Sequence, residues 1–374
     1  MNILFITNNY LSSKGGASYA SRAYINAFAE IADEMTLCYP VKEGEGLYDT
    51  INKKISTIAF SYDKSKFSKL LDLLIGKVHR YFALPKTLQT KFDIVVFDTS
   101  VVSYKLIGRF KRQGAKCIVI HHNYQYEYFR DNTQLLLKPL VLFWCKKYEK
   151  QSVALADLNL TLTKQDIKLL QENYDKNGMA KYGLLGVFED ISKPQKQPNE
   201  TSFLSHFIIT GSLNSIQTEK SLVPWLQKYF PLLKKVYPNC QLIVAGKKPS
   251  EKIKNLCKDL GIDVEDTPPV MEPLIQKSDV YLCPTKLGGG LKLRIMDGLK
   301  CGLPVVTHEV SARGYDFFFE KKMVFSYKDS NSFIAALRQI QSNPHSRKEI
   351  YDAYQSQFSF ESGVKRLRDC LNIL

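Results

Sequence analysis

The sequence predicts an α/β protein built from two doubly wound, Rossmann-like parallel-sheet domains facing a cleft. Three observations predict it. At 374 residues the chain exceeds the usual size of one domain and is long enough for two, each with its own core. Short apolar runs alternate with helical patterns along most of its length, which is the signature of βα units and of a parallel sheet covered on both faces. The pattern then stops at a polar stretch with two prolines, Ser192 to Glu200, and restarts after it.

Taken in order, the apolar run Ile3–Thr7 predicts a first strand and Tyr19–Ala32 a helix. Asp93–Phe97 with Val102–Arg112, and Cys117–His121 with helical segments through Ala154, repeat the unit; Leu158–Thr163 and Lys164–Tyr174 complete the first half. Domain one is therefore placed at 1–192 and the linker at 193–200. Domain two, 201–357, reads as strand Phe207–Thr210, helix Ser221–Val236, strand Gln241–Ala245, helix Ser250–Leu260, strand Val280–Cys283, a glycine loop with a helix, and strand Leu303–Thr307. Helical segments at about 332–342 and 346–374 end the chain, and the last of them, about 358–374, is expected to pack back on the first domain.

Composition narrows the classes. Hydrophobic residues at 44% and charged residues at 24% are ordinary globular values and exclude large-scale disorder. The eight cysteines are scattered, with no CxxC pair or metal-ligand spacing, and read as buried thiols of a reducing compartment. No run approaches a membrane span, and the N-terminal strand carries no basic leader, so the expected location is cytoplasmic.

A net charge of +15 calls for a polyanionic neighbour. Segment 64–80 carries five basic residues against one acid, with Phe67, Leu70, Leu71, Leu74, Val78 and Phe82 on one helical stripe. This is the pattern of a basic amphipathic helix on an anionic membrane surface; a surface helix packed on its own domain gives the same pattern. Lys138, Lys146, Lys147 and Lys150 around Leu140–Trp144 form a second basic patch of the same kind. No nucleic-acid signature accompanies the charge. The expected location is thus peripheral, on the inner face of the cell membrane.

The most informative stretch is Pro284 to Val306, which reads as strand, triple-glycine loop Gly288-Gly289-Gly290, short helix from about Leu291, turn and strand. Glycines let backbone approach a ligand, and a helix N-terminus directs N–H groups and a positive dipole end at it, so an anion such as a phosphate is the expected guest. Gly290, Arg294 and Asp297 fall on one helix face at this spacing, which would place a cation for phosphate beside a carboxylate for a sugar hydroxyl. Ligands of doubly wound sheets bind beyond the carboxyl ends of strands. Three further loops follow strands: Asn8 to Ser18 with Gly15-Gly16, then His121-His122-Asn123, then Gly211-Ser212-Leu213-Asn214. The first lacks the GxGxxG spacing of dinucleotide folds. The adjacent histidines are read either as structural or as substrate groups.

These residues resemble the retaining, nucleotide-sugar-dependent glycosyltransferases of the GT-B fold, specifically the large family 4 class that builds bacterial surface polysaccharides. The likeness runs nearly end to end and rests on Gly15-Gly16, on His122 to Tyr128 as a version of an HN-V-E-Y-E-Y run, on Gly211-Ser212-Leu213, and on the glycine loop through Asp297 and Cys301-Gly302-Leu303-Pro304. Typical members carry two glutamates seven residues apart in that loop and helix; here Gly289 stands at the first and Asp297 near the second, as in a G-G/S-G-x-K-x-K branch.

The resemblance implies a nucleotide-sugar donor held by Gly288, Gly289, Gly290, Leu291, Lys292, Arg294 and Asp297 with Gly211 and Ser212, the cations on the diphosphate and Asp297 on the ribose. It implies Gly15 and Gly16 against phosphate or acceptor, and His122 or His121, with Asn123, near the transferred sugar. It implies a saccharide or lipid-linked acceptor, no cofactor, and metal-independent transfer, in keeping with the lack of a DxD motif after a strand. A GT-B sugar-nucleotide epimerase using Asp98 and Glu127, and a catalytically silent GT-B scaffold subunit, are the competing readings.

Overall fold

The computed structural model describes residues 1–13, 15–42, 54–61, 66–76, 91–102, 104–133, 136–191 and 205–374. The chain divides into two compact units, Met1–Lys193 with Phe358–Leu374, and Pro194–Gln357. The expected linker at 193–200 lies outside the described residues, as do residues 64–65 and 77–80 of the basic segment, Phe82 of its stripe, and the side chains of Lys66, Phe67 and Lys69.

In the first unit the elements run β1 (Asn2–Thr7), α1 (Gly16–Ile31), β2 (Glu34–Val41), β3 (Ile55–Ser61), α2 (Lys66–Leu74), β4 (Ile94–Asp98), α3 (Tyr104–Arg112), β5 (Lys116–His121), α4 (Gln125–Asn132), α5 (Lys138–Leu155), β6 (Leu158–Thr161), α6 (Lys164–Tyr174) and β7 (Tyr182–Leu184). The seven strands pair in parallel in the order β3-β2-β1-β4-β5-β6-β7. Every residue of Ile94–Asp98 is buried, as expected of a central strand with helices on both faces. Leu4, Ile6, Val95, Phe97 and Val119 join Ile107 and Phe110 of α3 in one core cluster.

The second unit runs β8 (His206–Ser212), α7 (Ile216–Lys228), α8 (Phe230–Val236), β9 (Gln241–Lys247), α9 (Glu251–Asp259), β10 (Asp263–Asp266), α10 (Glu272–Gln276), β11 (Val280–Cys283), α11 (Arg294–Lys300), β12 (Val305–His308), α12 (Asp316–Glu320), β13 (Val324–Tyr327), α13 (Ser330–Ser342) and α14 (Arg347–Phe358). Six parallel strands lie in the order β10-β9-β8-β11-β12-β13. The core gathers Phe207, Ile209, Leu222, Trp225, Leu242, Val280, Leu282 and Phe333.

Several expected elements are adjusted by local chemistry. The helix read over 221–236 starts earlier, behind the Ser215 N-cap, and breaks at Tyr229, because Pro231 occupies the first turn of a new helix and supplies no N–H. The segment read as helical over 346–374 is likewise two helices, α14 and α15 (Phe360–Leu371), because Ser359 turns extended and caps the second. Helix α15 packs on α1 and β7. Gly363 meets the ring of Phe188, which a Cβ would approach to 2.1 Å, and Arg366 donates to the carbonyls of Leu185 and Val187 at 3.0 and 3.3 Å. The C-terminal segment is thereby part of the first unit.

Candidate functional site

In each sheet the chain leaves one central strand in one direction and returns to build outward in the other. The reversal falls between β1 and β4 in the first sheet and between β8 and β11 in the second. Loops at the carboxyl ends of such strand pairs diverge to opposite faces and leave room for a ligand. The motif residues all lie at these two points or beside them.

In the second unit, Gly288 (φ +82°) and Gly290 (φ +70°) adopt left-handed backbone that a side chain would strain. Lys292 folds back over the loop, its Nζ donating to the carbonyls of Gly288 and Gly289 at 3.1 and 3.0 Å. Gln217 of α7 closes the other side, where a Cβ on Gly288 would lie 3.1 Å from its amide nitrogen. Arg294 lies under β8: its Nη1 bonds Thr285 Oγ1 at 3.2 Å and reaches the Thr210 carbonyl at 3.5 Å. A Cβ on Gly211 would come within 2.7 Å of that nitrogen, so glycine there admits the guanidinium.

The helix after the loop opens at Arg294 and not at Leu291; residues 291–293 lead into it without being part of it. Gly290 therefore does not share a helix face with Arg294 and Asp297, correcting the expectation from spacing. The hydroxyl of Tyr315 donates to the Lys292 carbonyl at 2.9 Å, and the same carbonyl accepts from the Ile295 N–H at 3.0 Å as the helix begins. Asp297 is exposed in the first turn of α11. Burial first, and the charge of Asp297 second, push the Tyr281 phenol well above its ordinary value, so it stays protonated; its oxygen lies 2.5 Å from Thr210 Oγ1. Ser212 bonds Asn214 at 2.9 Å. The site thus brings together Gly211, Ser212, Gly288, Gly289, Gly290, Leu291, Lys292, Arg294 and Asp297. It adds Gln217 and Tyr315, which no motif announced, and Thr285, which the stretch Pro284 to Val306 contained without an assigned role.

In the first unit the end of β4 carries Asp98, fully buried and paired in register with Thr7 of β1. Its carboxylate accepts from Thr7 Oγ1 at 2.7 Å, from Ser21 Oγ, and from His122 Nε2 at 2.6 Å. Asn9 in the loop after β1 donates to Ser21 at 2.9 Å and through its backbone to Thr7 at 3.0 Å. One buried carboxylate therefore ties the loop leading to Gly15-Gly16 to His122. Since a carboxylate only accepts, Nε2 carries the proton and Nδ1 is the nitrogen available to a ligand. The His122 side chain keeps 10% of its surface exposed, against the ring of Tyr24 at 5.9 Å.

His121 points the other way. It is fully buried, its Nε2 is 2.9 Å from Asn159 Oδ1, and desolvation lowers its pKa to about 4. Asn123 is half-buried and its Oδ1 has no hydrogen-bond partner. Gly15 and Gly16 are exposed at the start of α1, whose N-cap is Gly15 with no side-chain cap. This exposes the amides an anion would use.

The histidine loop is fastened downstream by two buried acids that sequence spacing did not single out. Asp166 accepts from the Tyr124 N–H at 3.1 Å and Glu149 from the Gln125 N–H at 2.9 Å; Tyr174 adds its hydroxyl to Glu149 at 3.0 Å. Desolvation raises the pKa of Glu149 to about 7. Glu149 and His121 act on stability with opposite sign. Glu149 is protonated when folded and ionised when unfolded between pH 4.5 and 7, so its contribution is lost as pH rises through that window. His121 is neutral when folded and charged when unfolded between pH 6.5 and 4, so its contribution is lost as pH falls. From pH 4.5 to 6.5 the two cancel. Glu149→Gln is therefore expected to leave His121 unopposed and to lose stability on acidification across that range more steeply than the wild type, read by chemical denaturation. A variant with the wild-type profile would show that Glu149 is ionised in the fold.

All eight cysteines are free and buried. Among the described residues no cluster has metal-ligand character and no helix is long and apolar enough to cross a membrane.

The second unit matches the model of the family described as glycosyl transferases group 1 over residues 205–343. No curated protein matches the chain by sequence. Among solved structures, sucrose-phosphate synthase from Thermosynechococcus elongatus superposes with a TM-score of 0.68 at 13% identity, over 99% of this chain and 98% of that one. The lipopolysaccharide outer core galactosyltransferase WaaB gives 0.65 at 14%, over 100% and 99%. The Anabaena protein HepE, in complex with UDP, gives 0.62 at 12%, over 100% of both chains. At these identities the likeness is one of fold, and the fold is the two-domain, Rossmann-like GT-B architecture.

Proposed function

We propose that the chain is a glycosyltransferase that moves a sugar, with retention, from a nucleotide-diphosphate donor to a saccharide acceptor, lipid-linked or membrane-proximal, in surface-polysaccharide synthesis. One observation carries this reading: the glycine loop, Lys292 and Arg294 converge with Gly211 at the β8/β11 reversal, inside the unit that matches the group 1 glycosyl transferase family. Transfer breaks the bond from the sugar's anomeric carbon to the diphosphate, which leaves with the electron pair. Fixed amides and two cations suit that developing charge. In this reading Asp297 takes the ribose hydroxyls, and a sugar hydroxyl falls to Nδ1 of His122. The acceptor hydroxyl attacks on the face the diphosphate leaves and gives its proton to the departing phosphate oxygen.

Of the competing readings, an epimerase would need Asp98 as a mobile acid or base, whereas three donors and complete burial engage it. The scaffold reading retains the glycine at position 289. A panel of nucleotide sugars separates them. The matching donor at a hundred times its dissociation constant should add about 2.7 kcal/mol of stability. Nucleotide should be released on adding acceptor, with Mg²⁺ or with chelator alike. Stabilisation without release in any acceptor mixture would favour the scaffold, and no stabilisation by any nucleotide sugar would remove the proposal.

A further inference from the structure

In the first unit, α5 packs against both α2 and α3, bringing together two patches that are about sixty residues apart in sequence. Gly76, just beyond α2, sits flat on the indole of Trp144, whose ring carbons a Cβ would approach to 2.8 Å; Tyr148 donates to the Gly76 carbonyl at 2.6 Å. Around this junction large apolar side chains face water: Leu71 is 47% exposed, Leu74 55%, Ile75 62% and Phe143 58%, the last with its ring 5.1 Å from Trp144. Exposed Lys146, Lys147 and Lys150 accompany them, Lys147 lying 4.9 Å over the Trp144 ring. The acids of these helices do not offset that charge at the surface. Glu149 of α5 is fully buried, Asp72 of α2 is 8% exposed, and α3 has basic residues and no acid.

We infer that this face, centred on Trp144 and spanning α2 and α5, docks the protein on an anionic phospholipid surface. The chemistry selects that occupant. Leucine, isoleucine and phenylalanine gain by entering the acyl boundary, and long lysines reach the phosphates while their stems stay on apolar surface, with Trp144 packed beneath them as the platform that holds the two helices together. A protein partner fits less well, because interface cores are depleted in lysine. Nucleic acid would leave the exposed leucines and isoleucine without a role. The inference differs from the sequence expectation in its centre: α5 supplies the aromatic core and described cations, and α2 supplies the apolar rim. It does not depend on the proposed sugar chemistry.

Flotation of the full chain with phosphatidylcholine vesicles, with and without phosphatidylglycerol, tests it. The wild type should float with the anionic vesicles and come off as salt rises. Lys146→Glu/Lys147→Glu/Lys150→Glu should lower partitioning about tenfold or more. Leu74→Ser/Ile75→Ser/Phe143→Ser should lower it in low and high salt alike. Both variants should keep wild-type melting and nucleoside-diphosphate binding, which shows that the units are folded. Equal flotation of wild type and variants, or equal affinity for neutral and anionic vesicles, would overturn the inference. So would a wild type that ignores vesicles but forms a dimer that either variant abolishes, which would give the face to a second copy.

Discussion

Arg294→Ala is expected to weaken nucleoside-diphosphate binding by up to about a hundredfold, because a charged group meeting phosphate in a half-buried site contributes roughly 1.5–3 kcal/mol. Among the described residues the hydrogen bonds of Arg294 run through Nη1, to Thr285 and Thr210, while Nη2 lies beside Gly211, 3.3 Å from where a Cβ would stand. Lys292 is differently employed, since its ammonium binds the carbonyls of Gly288 and Gly289 and holds the loop's shape. Lys292→Ala should therefore loosen the loop and lower donor-free melting as well as affinity, whereas Arg294→Ala should lower affinity with little change in melting. Arg294→Lys separates charge from geometry and should recover only part of the loss. If calorimetry shows Arg294→Ala binding like wild type and Lys292→Ala binding weakly, the main phosphate contact is Lys292. If both bind like wild type, the diphosphate lies elsewhere.

The parts of the fold legible in the sequence were those with one dominant local signal. The segment Lys164–Tyr174 was read with its ends as observed, because Thr163 caps it and an apolar stripe continues through Leu170. Val280–Cys283 was read with its ends as observed because a fully buried parallel strand is an uninterrupted apolar run. The strands at sheet margins were missed. Asp263–Asp266 presents three exposed residues out of four, so its sequence is polar, and pairing with β9 rather than hydrophobicity fixes it. Glu34–Val41, inside the sheet between β1 and β3, was missed for another reason: it contains Pro40 and opens on an acid, which masks a strand buried by its neighbours. At the site, glycines and cations were visible as a motif. Gln217 and Tyr315 were not, since each reaches the loop across the fold and carries no local spacing; Thr285 lay within the stretch, but its bond to Arg294 nine residues on carries no motif. Asp98 was named in the sequence only for the epimerase reading; its tie to His122 was not legible, because its partners come from β1, α1 and the turn after β5.

His122→Ala is expected to lower turnover by about tenfold or more, because a hydrogen bond between neutral groups that orients the transferred sugar contributes about 1–1.5 kcal/mol. Nucleoside-diphosphate affinity should stay near the wild-type value, because the diphosphate contacts are assigned to the second unit. The role of Asp98 can be separated from its burial. Asp98→Asn keeps the volume but offers one acceptor in place of two to Thr7, Ser21 and His122, so an N–H now faces a donor. That should cost about 1–3 kcal/mol of stability, and it releases the imidazole from the tautomer the carboxylate imposes. If Asp98 acts by positioning His122, Asp98→Asn in a His122→Ala background should destabilise the protein and slow turnover no further, a coupling that a double-mutant cycle in kcat reads directly. His121→Ala serves as the control. Its ring is sealed against Asn159 in the core, so its loss should appear as lowered melting with turnover largely kept. Full activity in His122→Ala would take the imidazole out of the reaction, whereas additive losses in the cycle would show that Asp98 does not act through His122 and is a tie between β1, α1 and β4.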